Sequence, residues 1–448
     1  MTTFGNFAKY TSLNVLGMIG LSCYILADTF FVSKGLGTDG LAALNLAIPV
    51  YSFIHGSGLM IGMGGGTKYS IFKSQKEHDN ANRAFTGAVS LAAAFASVFV
   101  LIGLFLSGTI ISLFGADESV FAMSKTYLQV ILLFAPAFLL NNLLLCFVRN
   151  DGAPQLAMAA MIGGSLSNVV LDWVFIFPCQ MGIFGAAFAT GLAPIFSILI
   201  LSPHFIRKKN SFHLVKCRPD GKLLSGILSS GIPSLVTEVS SGIVMIVFNA
   251  IILHLTGNVG IAAYGVIANL SLVILAIFTG IAQGIQPIIS RCYGMKERSK
   301  IHATLRYALT TMLLFSAVIY GVVFFGAPQI TSIFNSEQSP LLQNIATEGL
   351  RIYFIACPFA GFNVILSMYF TSMEYPRPAQ IISVLRGFLV IIPMAFLLSW
   401  IGKMYGVWCA FPVAELLVSI IGLLLFISNK KKFFTENVPR TNKDHRTQ

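Results

Sequence analysis

The feature that most constrains this chain is its long runs without charge. Five stretches contain no Asp, Glu, Lys or Arg: 84–116, 173–206, 239–290, 307–336 and 352–373. About 20 apolar residues are enough to cross a bilayer as a helix. Only 10% of all residues are charged, against roughly 25% in soluble domains. Because lipid satisfies no backbone hydrogen bonds, the sequence predicts an all-α polytopic membrane protein.

Turn residues divide the longest runs into single spans. The segment from His254 to Gly260 divides the run 239–290, and the segment from Pro178 to Gly182 separates two earlier spans. The resulting pattern predicts twelve transmembrane helices. Their expected positions are 9–33, 40–68, 83–108, 120–148, 155–177, 183–204, 223–253, 259–290, 301–326, 341–371, 378–400 and 405–428.

Basic residues concentrate in alternate connectors. The connectors after spans 2, 6 and 8 and the tail after span 12 are rich in Lys and Arg, whereas those after spans 3, 5, 7 and 9 contain neither. Since cytoplasmic loops carry the excess of Lys and Arg, both termini and the even-numbered connectors are expected in the cytoplasm of a multi-pass cell-membrane protein. We therefore interpret the net charge of +12 as an orientation signal, with no nucleic acid as partner.

The two halves of the chain share a weak internal repeat. A shift of 220 residues aligns "GLAALNLAIPV" with "GIAAYGVIANL", Gly64 with Gly284, and Lys76-Glu77 with Lys296-Glu297. Because the shift covers six helices, an even number, it predicts two six-helix lobes related by pseudo-two-fold symmetry about the membrane normal. The expected domains are an N-lobe (1–204), a cytoplasmic basic linker (205–222), a C-lobe (223–428) and a basic cytoplasmic tail (429–448).

Six ionisable side chains are expected at membrane depth, where each costs at least about 2.5–3.5 kcal/mol and marks a candidate site. They are Asp28, Asp172, Glu238, Glu415, Arg351 and Arg386. We expect structural roles for the two arginines, with Arg386 paired to an acid. For Glu238, a functional and a structural role are equally supported.

Asp172 has a polar neighbour, because Asn168 lies four residues earlier on the same helix face. Thr190 on the next span adds a hydroxyl, and the small residues of "GAAFAT" allow close helix approach. These oxygens suit a proton or a hard cation such as Na⁺. If Asp28 faces Asp172, repulsion and desolvation favour protonating one of them. The alternative is that Asn168 and Thr190 only hydrogen-bond across helices.

Other motifs are given structural interpretations. The seven cysteines are scattered without a CxxC pair or zinc spacing, and "GMGGGTK" does not satisfy the GxxxxGK[ST] phosphate loop. No Ser-His-Asp order, HExxH motif or nucleotide fingerprint is present in the sequence. The sequence therefore does not predict an enzyme.

Several motifs taken together resemble the multidrug and toxic compound extrusion (MATE) transporters. They are "ADTFFVSKGLGTDGLAALNLAIPV", "GMGGGTKYSIFKSQKE", "RNDGAPQLAM", "SNVVLDWVFIF", "GIFGAAFATGLA", "QGIQPIISRCYGMKE", "SVLRGFLVIIP" and "GVWCAFPVAELL". The likeness covers nearly the whole chain and is greatest to the bacterial MepA-like branch. It implies a monomer in the lipid bilayer, whose two lobes open alternately to either side. It also implies export of small cationic amphipathic drugs in exchange for H⁺ or Na⁺, with no cofactor beyond that coupling ion.

The resemblance also implies an ion site in the N-lobe. By motif, the residues of this site are Asp28, Tyr127, Asn168, Asp172 and Thr190. The sequence patterns above already select four of them, and the family adds Tyr127. A Na⁺ ion, if it is the coupling ion, would bind at Asp28, Asn168, Asp172 and Thr190.

Two departures from the family pattern affect this expectation. Some relatives are proposed to bend span 1 at a proline, and span 1 of this chain has none. Relatives with a second-lobe Na⁺ site use an Asp on span 10, where this chain offers Asn363. Glu238 and Asn363 are therefore the candidates for a second-lobe substrate or ion contact. The alternative functions are a flippase for a lipid-linked or polysaccharide precursor and, third, a channel.

Overall fold

The computed structural model describes residues 2–217, 220–335 and 338–435, and all regular secondary structure within them is helical. The helices are α1 (Thr3–Ser74), α2 (His78–Phe105), α3 (Ser107–Leu113), α4 (Glu118–Leu133), α5 (Ala135–Asn150), α6 (Pro154–Ile176), α7 (Gly182–Ile206), α8 (Gly221–Gly294), α9 (Arg298–Phe334), α10 (Pro340–Tyr353), α11 (Cys357–Ser372), α12 (Pro376–Val384) and α13 (Ile391–Thr435). A 3₁₀ turn joins α10 to α11, and a π-helical segment joins α12 to α13. Most of the predicted basic tail and Arg218 of the predicted linker lie outside the described residues.

Eight continuous helical segments of the described chain are long and apolar enough to cross a membrane, and the bent pair α4–α5 adds a ninth. Three of these nine contain two spans each. The chain turns at Gly37 in α1, at Gly257 in α8 and at Lys403 in α13, where the backbone leaves the helical conformation. The part of the chain that the structure describes therefore contains the twelve predicted spans.

Four of the predicted spans consist of two helical pieces. Leu106 separates α2 from α3 within 83–108, and the π-helical segment lies within 378–400. In the other two spans, helices α4 and α5 meet at 47°, and the 3₁₀ turn separates α10 from α11. These last two breaks lie just before a proline, Pro136 or Pro358, which cannot donate the helical hydrogen bond and whose ring clashes with the preceding turn.

The internal repeat is visible in the backbone. Gly37 (φ 68°, ψ −155°) and Gly257 (φ 65°, ψ −155°) adopt the same conformation. Lys76 (φ 65°) and Lys296 (φ 58°) end α1 and α8 with the same left-handed conformation. Each pair is separated by the shift that aligned the sequence. Since positive φ is uncommon for residues other than glycine, its recurrence at this spacing confirms the repeat.

Two hydrophobic cores accompany the two halves. One joins buried side chains from Val32 to Ile227, and the other joins buried side chains from Phe248 to Val418. Phe7 and Val15, near the start of α1, belong to the second core. The beginning of the first span therefore packs against the second half of the chain.

The backbones of the two lobes touch near one end of the bundle. This end, the basic end, carries the connectors 75–77, 151–153 and 295–297 and the described residues 207–217. A Cβ on Gly64 would lie 1.9 Å from the carbonyl oxygen of Ile227, and a Cβ on Gly231 would lie 1.9 Å from that of Met60. No side chain larger than hydrogen fits these crossings, so the lobes are closed against each other at the basic end.

Polar side chains extend this closure. Gln286 Nε2 donates to Thr67 Oγ1 (3.0 Å), which joins α8 to α1. The ammonium of Lys68 pairs with the carboxylate of Glu374 (2.6 Å), which joins α1 to the connector before α12. Ion pairs that remain in contact with solvent contribute little by themselves. The tight glycine crossings therefore define the interface, and the polar contacts align the two lobes.

The connector between α7 and α8 is fixed to the N-terminal half through Asp151. This buried carboxylate accepts hydrogen bonds from Tyr69 Oη (2.6 Å) and the Ser211 amide (2.9 Å), and it pairs with Lys73 and His204. Burial would raise the pKa of Asp151, but the donors from Lys73, Tyr69 and Ser211 outweigh it and hold that pKa below its ordinary value. The described part of the predicted linker is thus a docked segment.

Candidate functional site

Two carboxyl groups meet inside the N-terminal half. Asp28, on the first span of α1, is 8% exposed, and Asp172, on α6, is fully buried. Their side chains lie close enough to interact with each other. Two buried carboxylates in such proximity repel each other, so the pair suits a shared proton or a bound cation. The structure therefore brings together the two acids that the sequence placed on spans 1 and 5.

Asn168 and Thr190 surround Asp172. In the amide orientation that satisfies both neighbours, Asn168 Nδ2 donates to Asp172 Oδ2 (3.0 Å) and Asn168 Oδ1 accepts from the Thr190 amide (3.3 Å). The spacing of four residues on α6 puts the Asn and the Asp on one helix face. The alternative, in which Asn168 and Thr190 only bond each other across helices, is therefore incomplete.

Tyr127, on α4, completes this group. Its ring is buried, and its hydroxyl lies near the Thr190 side chain. Together, five residues form the carboxyl cluster: Asp28, Tyr127, Asn168, Asp172 and Thr190.

The carboxyl cluster has unfilled hydrogen-bonding capacity. The Oδ1 atoms of Asp28 and Asp172 are buried and have no hydrogen-bond partner among the described residues. A buried acceptor without a partner costs about 1–3 kcal/mol. The cluster can lower this cost by binding a proton, or a Na⁺ ion held by its carboxylate, amide and hydroxyl oxygens.

A cavity of about 340 Å³ lies between the two lobes. This volume is within the range of small-molecule sites. Thr190 of the carboxyl cluster also lines the cavity, so the two share a side chain. Aromatic rings attract cations over their faces, and thioethers adapt to varied apolar shapes. Such side chains line the cavity from both lobes, among them Tyr24, Tyr51, Phe138, Tyr264, Met161 and Met245.

Glu238, on α8, is an acid of the second lobe that faces this cavity. It is half-buried. A Cβ on Gly56 of α1 would lie 3.0 Å from Glu238 Cβ, so the two lobes approach closely at this residue. None of the ion pairs within the described ranges includes Glu238. Its carboxylate is therefore available to a cationic ligand.

Asn363 lies in a different network, with Glu415 and Arg386. Arg386 Nε donates to Glu415 Oε1 (2.5 Å), and Asn363 Nδ2 donates to Glu415 Oε2 (2.7 Å). The expected pairing of Arg386 with an acid is confirmed. Because Asn363 bonds to Glu415 and shares no hydrogen bond with Glu238 in the described chain, the two predicted second-lobe residues do not form one site.

Arg149 is a cavity residue that the sequence reasoning misses. It stands at the end of α5, in the motif "RNDG", where an arginine is typical of a membrane interface. In the structure it is only 2% exposed and lines the cavity. Nothing in the local sequence distinguishes it from an interfacial arginine, because its burial depends on residues of α1 and α8.

Comparison with known proteins finds the same architecture elsewhere. The MatE family model matches residues 15–174 and 233–397. Two relatives named multidrug export protein MepA, from Staphylococcus saprophyticus and Staphylococcus aureus, are each 24% identical over 413 residues, which cover 92% of this chain and 90% of the relative.

Two solved structures superpose on 97% of this chain, and 97% of each of them is covered, at 22% identity. One is a MATE in complex with MaL6, with a TM-score of 0.91. The other is the outward-facing conformation of a multidrug resistance MATE family transporter of the MOP superfamily, with a TM-score of 0.89. This likeness shows the twelve-helix fold in two lobes.

Proposed function

This chain belongs to the MatE family of multidrug and toxic compound extrusion proteins, and from that premise we propose that it exports cationic amphipathic compounds in exchange for protons. It is a multi-pass membrane transporter and not an enzyme. The cavity between the lobes supports the substrate class, since it combines aromatic and thioether walls with the unpaired carboxylate of Glu238.

One observation carries the choice of the coupling ion. Asp28 and Asp172 lie side by side in a buried site, and a proton shared between them would remove their mutual repulsion. A second proton would neutralise both acids and relieve their burial. Na⁺ remains the competing coupling ion, because the same oxygens suit a hard cation. Only an ion that binds the two conformations with different affinity can drive their exchange.

The proposal also includes a direction of transport, from the cytoplasm to the outside. We place the basic end in the cytoplasm, because its connectors carry the excess of Lys and Arg. With the lobes closed at that end, the described conformation does not admit substrate from the cytoplasm. Release to the outside and reloading from the inside then require the two lobes to rock about the cavity.

The test replaces Asp28 by Asn, which keeps the shape of the side chain and removes its charge and its proton. A pH gradient or a Na⁺ gradient, each alone, is imposed across everted membrane vesicles. Uptake of a cationic dye into the vesicles is then measured. Wild-type uptake should depend on the pH gradient, and Asp28→Asn should abolish that dependence. Asp117→Asn, at an exposed turn before α4, is the matched control.

Two results contradict the proposal. Full pH-driven uptake by Asp28→Asn would remove the carboxyl cluster from coupling. Wild-type uptake that follows the Na⁺ gradient and ignores the pH gradient would assign Na⁺ in place of H⁺.

The flippase alternative predicts a cationic wall along the cavity. In the described chain the cavity contains two arginines, and Arg386 is neutralised by Glu415. The cavity also exposes the acid Glu238. This mixed lining favours amphipathic cations over a polyanionic lipid precursor.

A further inference from the structure

Arg149 lies where the two lobes meet at the basic-end side of the cavity. Its Nη1 donates to Asn14 Oδ1 of α1 (2.6 Å) and to Gln283 Oε1 of α8 (2.8 Å). Its Nη2 reaches only sulfur acceptors, Met63 Sδ (3.4 Å) and Cys146 Sγ (3.5 Å). Its Nε is buried and has no hydrogen-bond partner among the described residues. Both oxygen atoms that accept hydrogen bonds from Arg149 therefore belong to neutral amide side chains.

The charge of this guanidinium has no counter-ion among the residues that the structure describes. Arg149 is 2% exposed, and none of the ion pairs found across the described ranges includes it. Arginine stays protonated in proteins, and a buried charge without an opposite charge is unfavourable. Arg386, the other arginine among the described cavity residues, pairs with Glu415. Arg149 is therefore the cavity cation that an incoming anion would neutralise.

The cavity thus has an unpaired acid and an unpaired base at different depths. Glu238 lies beside Gly56 of α1, and the Arg149 guanidinium contacts Met63 of the same helix. Seven residues of helix separate these two levels, which is about 10 Å along the helix axis. Apolar side chains, among them Met18, Met161 and Leu145, line the wall near Arg149. A ligand that spans both levels needs an elongated apolar body with opposite charges at its ends.

We propose that Arg149 is an anion subsite, and that it binds the carboxylate of zwitterionic amphipathic substrates whose cationic end faces Glu238. This inference rests on the proposed export function and narrows its substrate class. The guanidinium can offer Nε–H and Nη2–H together to a carboxylate, in the bidentate geometry that arginine favours. The weak sulfur contacts of Nη2 are then exchanged for charge-assisted hydrogen bonds.

The test compares two compounds that differ only in one charge. One is a planar aromatic zwitterion with an amine at one end and a carboxylate at the other, and the second is its methyl ester. Transport of both is measured with wild-type, Arg149→Gln and Arg149→Lys protein in proteoliposomes. We expect Arg149→Gln to raise the KM of the zwitterion by about 10- to 100-fold, the range for a lost charge-assisted hydrogen bond, and to leave that of the ester within about twofold. Arg149→Lys should restore part of the difference.

The control is Arg351→Gln, which makes the same chemical change at a half-buried arginine whose Nε donates to the Phe324 carbonyl (3.2 Å), away from the cavity. It should alter neither KM. Binding of both compounds to detergent-purified protein, measured by equilibrium dialysis, gives a readout that does not depend on coupling or turnover.

Other outcomes overturn the inference in distinguishable ways. If Arg149→Gln raises the KM of the zwitterion and of the ester equally, Arg149 has a structural role in joining α1 to α8 and does not recognise the carboxylate. If transport requires chloride, is lost when gluconate replaces chloride, and shows no preference for the zwitterion over its ester, the subsite binds a free inorganic anion. No change in either KM would show that Arg149 does not contact substrate. If wild-type protein transports neither compound under a pH or Na⁺ gradient, the proposed export function itself fails and takes this inference with it.

Discussion

Gly231 offers the sharpest test of how the lobes are closed at the basic end. In the described conformation a Cβ on this residue would lie 1.9 Å from the Met60 carbonyl oxygen and 2.6 Å from the carbonyl carbon. Ordinary contact between such atoms needs about 3.5 Å, so Gly231→Ala forces the two helices apart locally by about 1.5 Å. Both obstructing atoms belong to backbone, which cannot rotate away.

The energetic consequence follows from this clash. Overpacking of a tight contact costs about 1–3 kcal/mol. Alanine also favours helix over glycine by about 1 kcal/mol, but it does so in every conformation that keeps α8 helical. The gain in helix propensity is the same in both conformations, so it does not change the equilibrium between them. The clash exists only in the closed conformation, so it does change that equilibrium. Gly231→Ala should therefore shift the equilibrium away from the closed basic end by roughly 5- to 150-fold.

The assay measures distances across the basic end. Spin labels at Gln75 and Met295, in the connectors that follow α1 and α8, are placed in a cysteine-free background, and their distance distribution is recorded by pulsed electron resonance. Gly231→Ala should add or enlarge a population at longer distance. Gly265→Ala is the matched control, because a Cβ there meets nothing within 4 Å. Distributions for Gly231→Ala that coincide with wild type and with this control would refute the reasoning.

The remaining predictions concern two charged groups. Glu415→Leu should destabilise the protein by about 3–5 kcal/mol, because it leaves Arg386 buried without its acid. Glu415→Leu/Arg386→Met should cost less than the sum of the single changes in a thermal-unfolding double-mutant cycle, and simple additivity would contradict the pairing. Asp151, whose pKa is held below its ordinary value by Lys73, Tyr69 and Ser211, stabilises the fold fully above the ordinary carboxyl pKa and loses its contribution as pH falls through the lowered folded-state value. Wild-type melting temperature should therefore fall more steeply than that of Asp151→Asn between about pH 5 and pH 2, and equal slopes would exclude this role.

The spans were predictable because their signal is local. A helix in lipid must satisfy its own backbone, so a run of apolar residues predicts both its type and its length. The repeat was predictable for a similar reason, since Gly64 and Gly284 each sit at a crossing of the two lobes where little or no side chain fits. The breaks before Pro136 and Pro358 also had a local signal, which the apolar pattern alone does not register.

The candidate site was only partly predictable. Asn168 and Asp172 share a helix face by spacing alone, and Thr190 follows on the adjacent span. The contact of Asp28 with Asp172 requires α1 to pack beside α6, and no spacing reveals that. The same limit applies to Arg386, which was expected to pair with an acid, because no spacing identifies Glu415 as that acid. Arg149 gave no signal at all, because its neighbours Asn14 and Gln283 come from opposite halves of the chain.

The first span of α1 connects these separate features. It is helical from Thr3 to Gly37, and no proline precedes Pro49. Along this one rod lie Asp28 of the carboxyl cluster, Asn14, which holds Arg149, and Thr11, whose Cα would lie 2.7 Å from a Cβ on Gly284. Gly17 and Gly20 lie on this span between Asn14 and Asp28, and the helix continues through both without a break. We expect a change in protonation at Asp28 to shift this span as one piece, and with it the Gly284 crossing and the Arg149 contacts. On this hypothesis, coupling between Asp28 and the closed basic end does not require a bend at a proline.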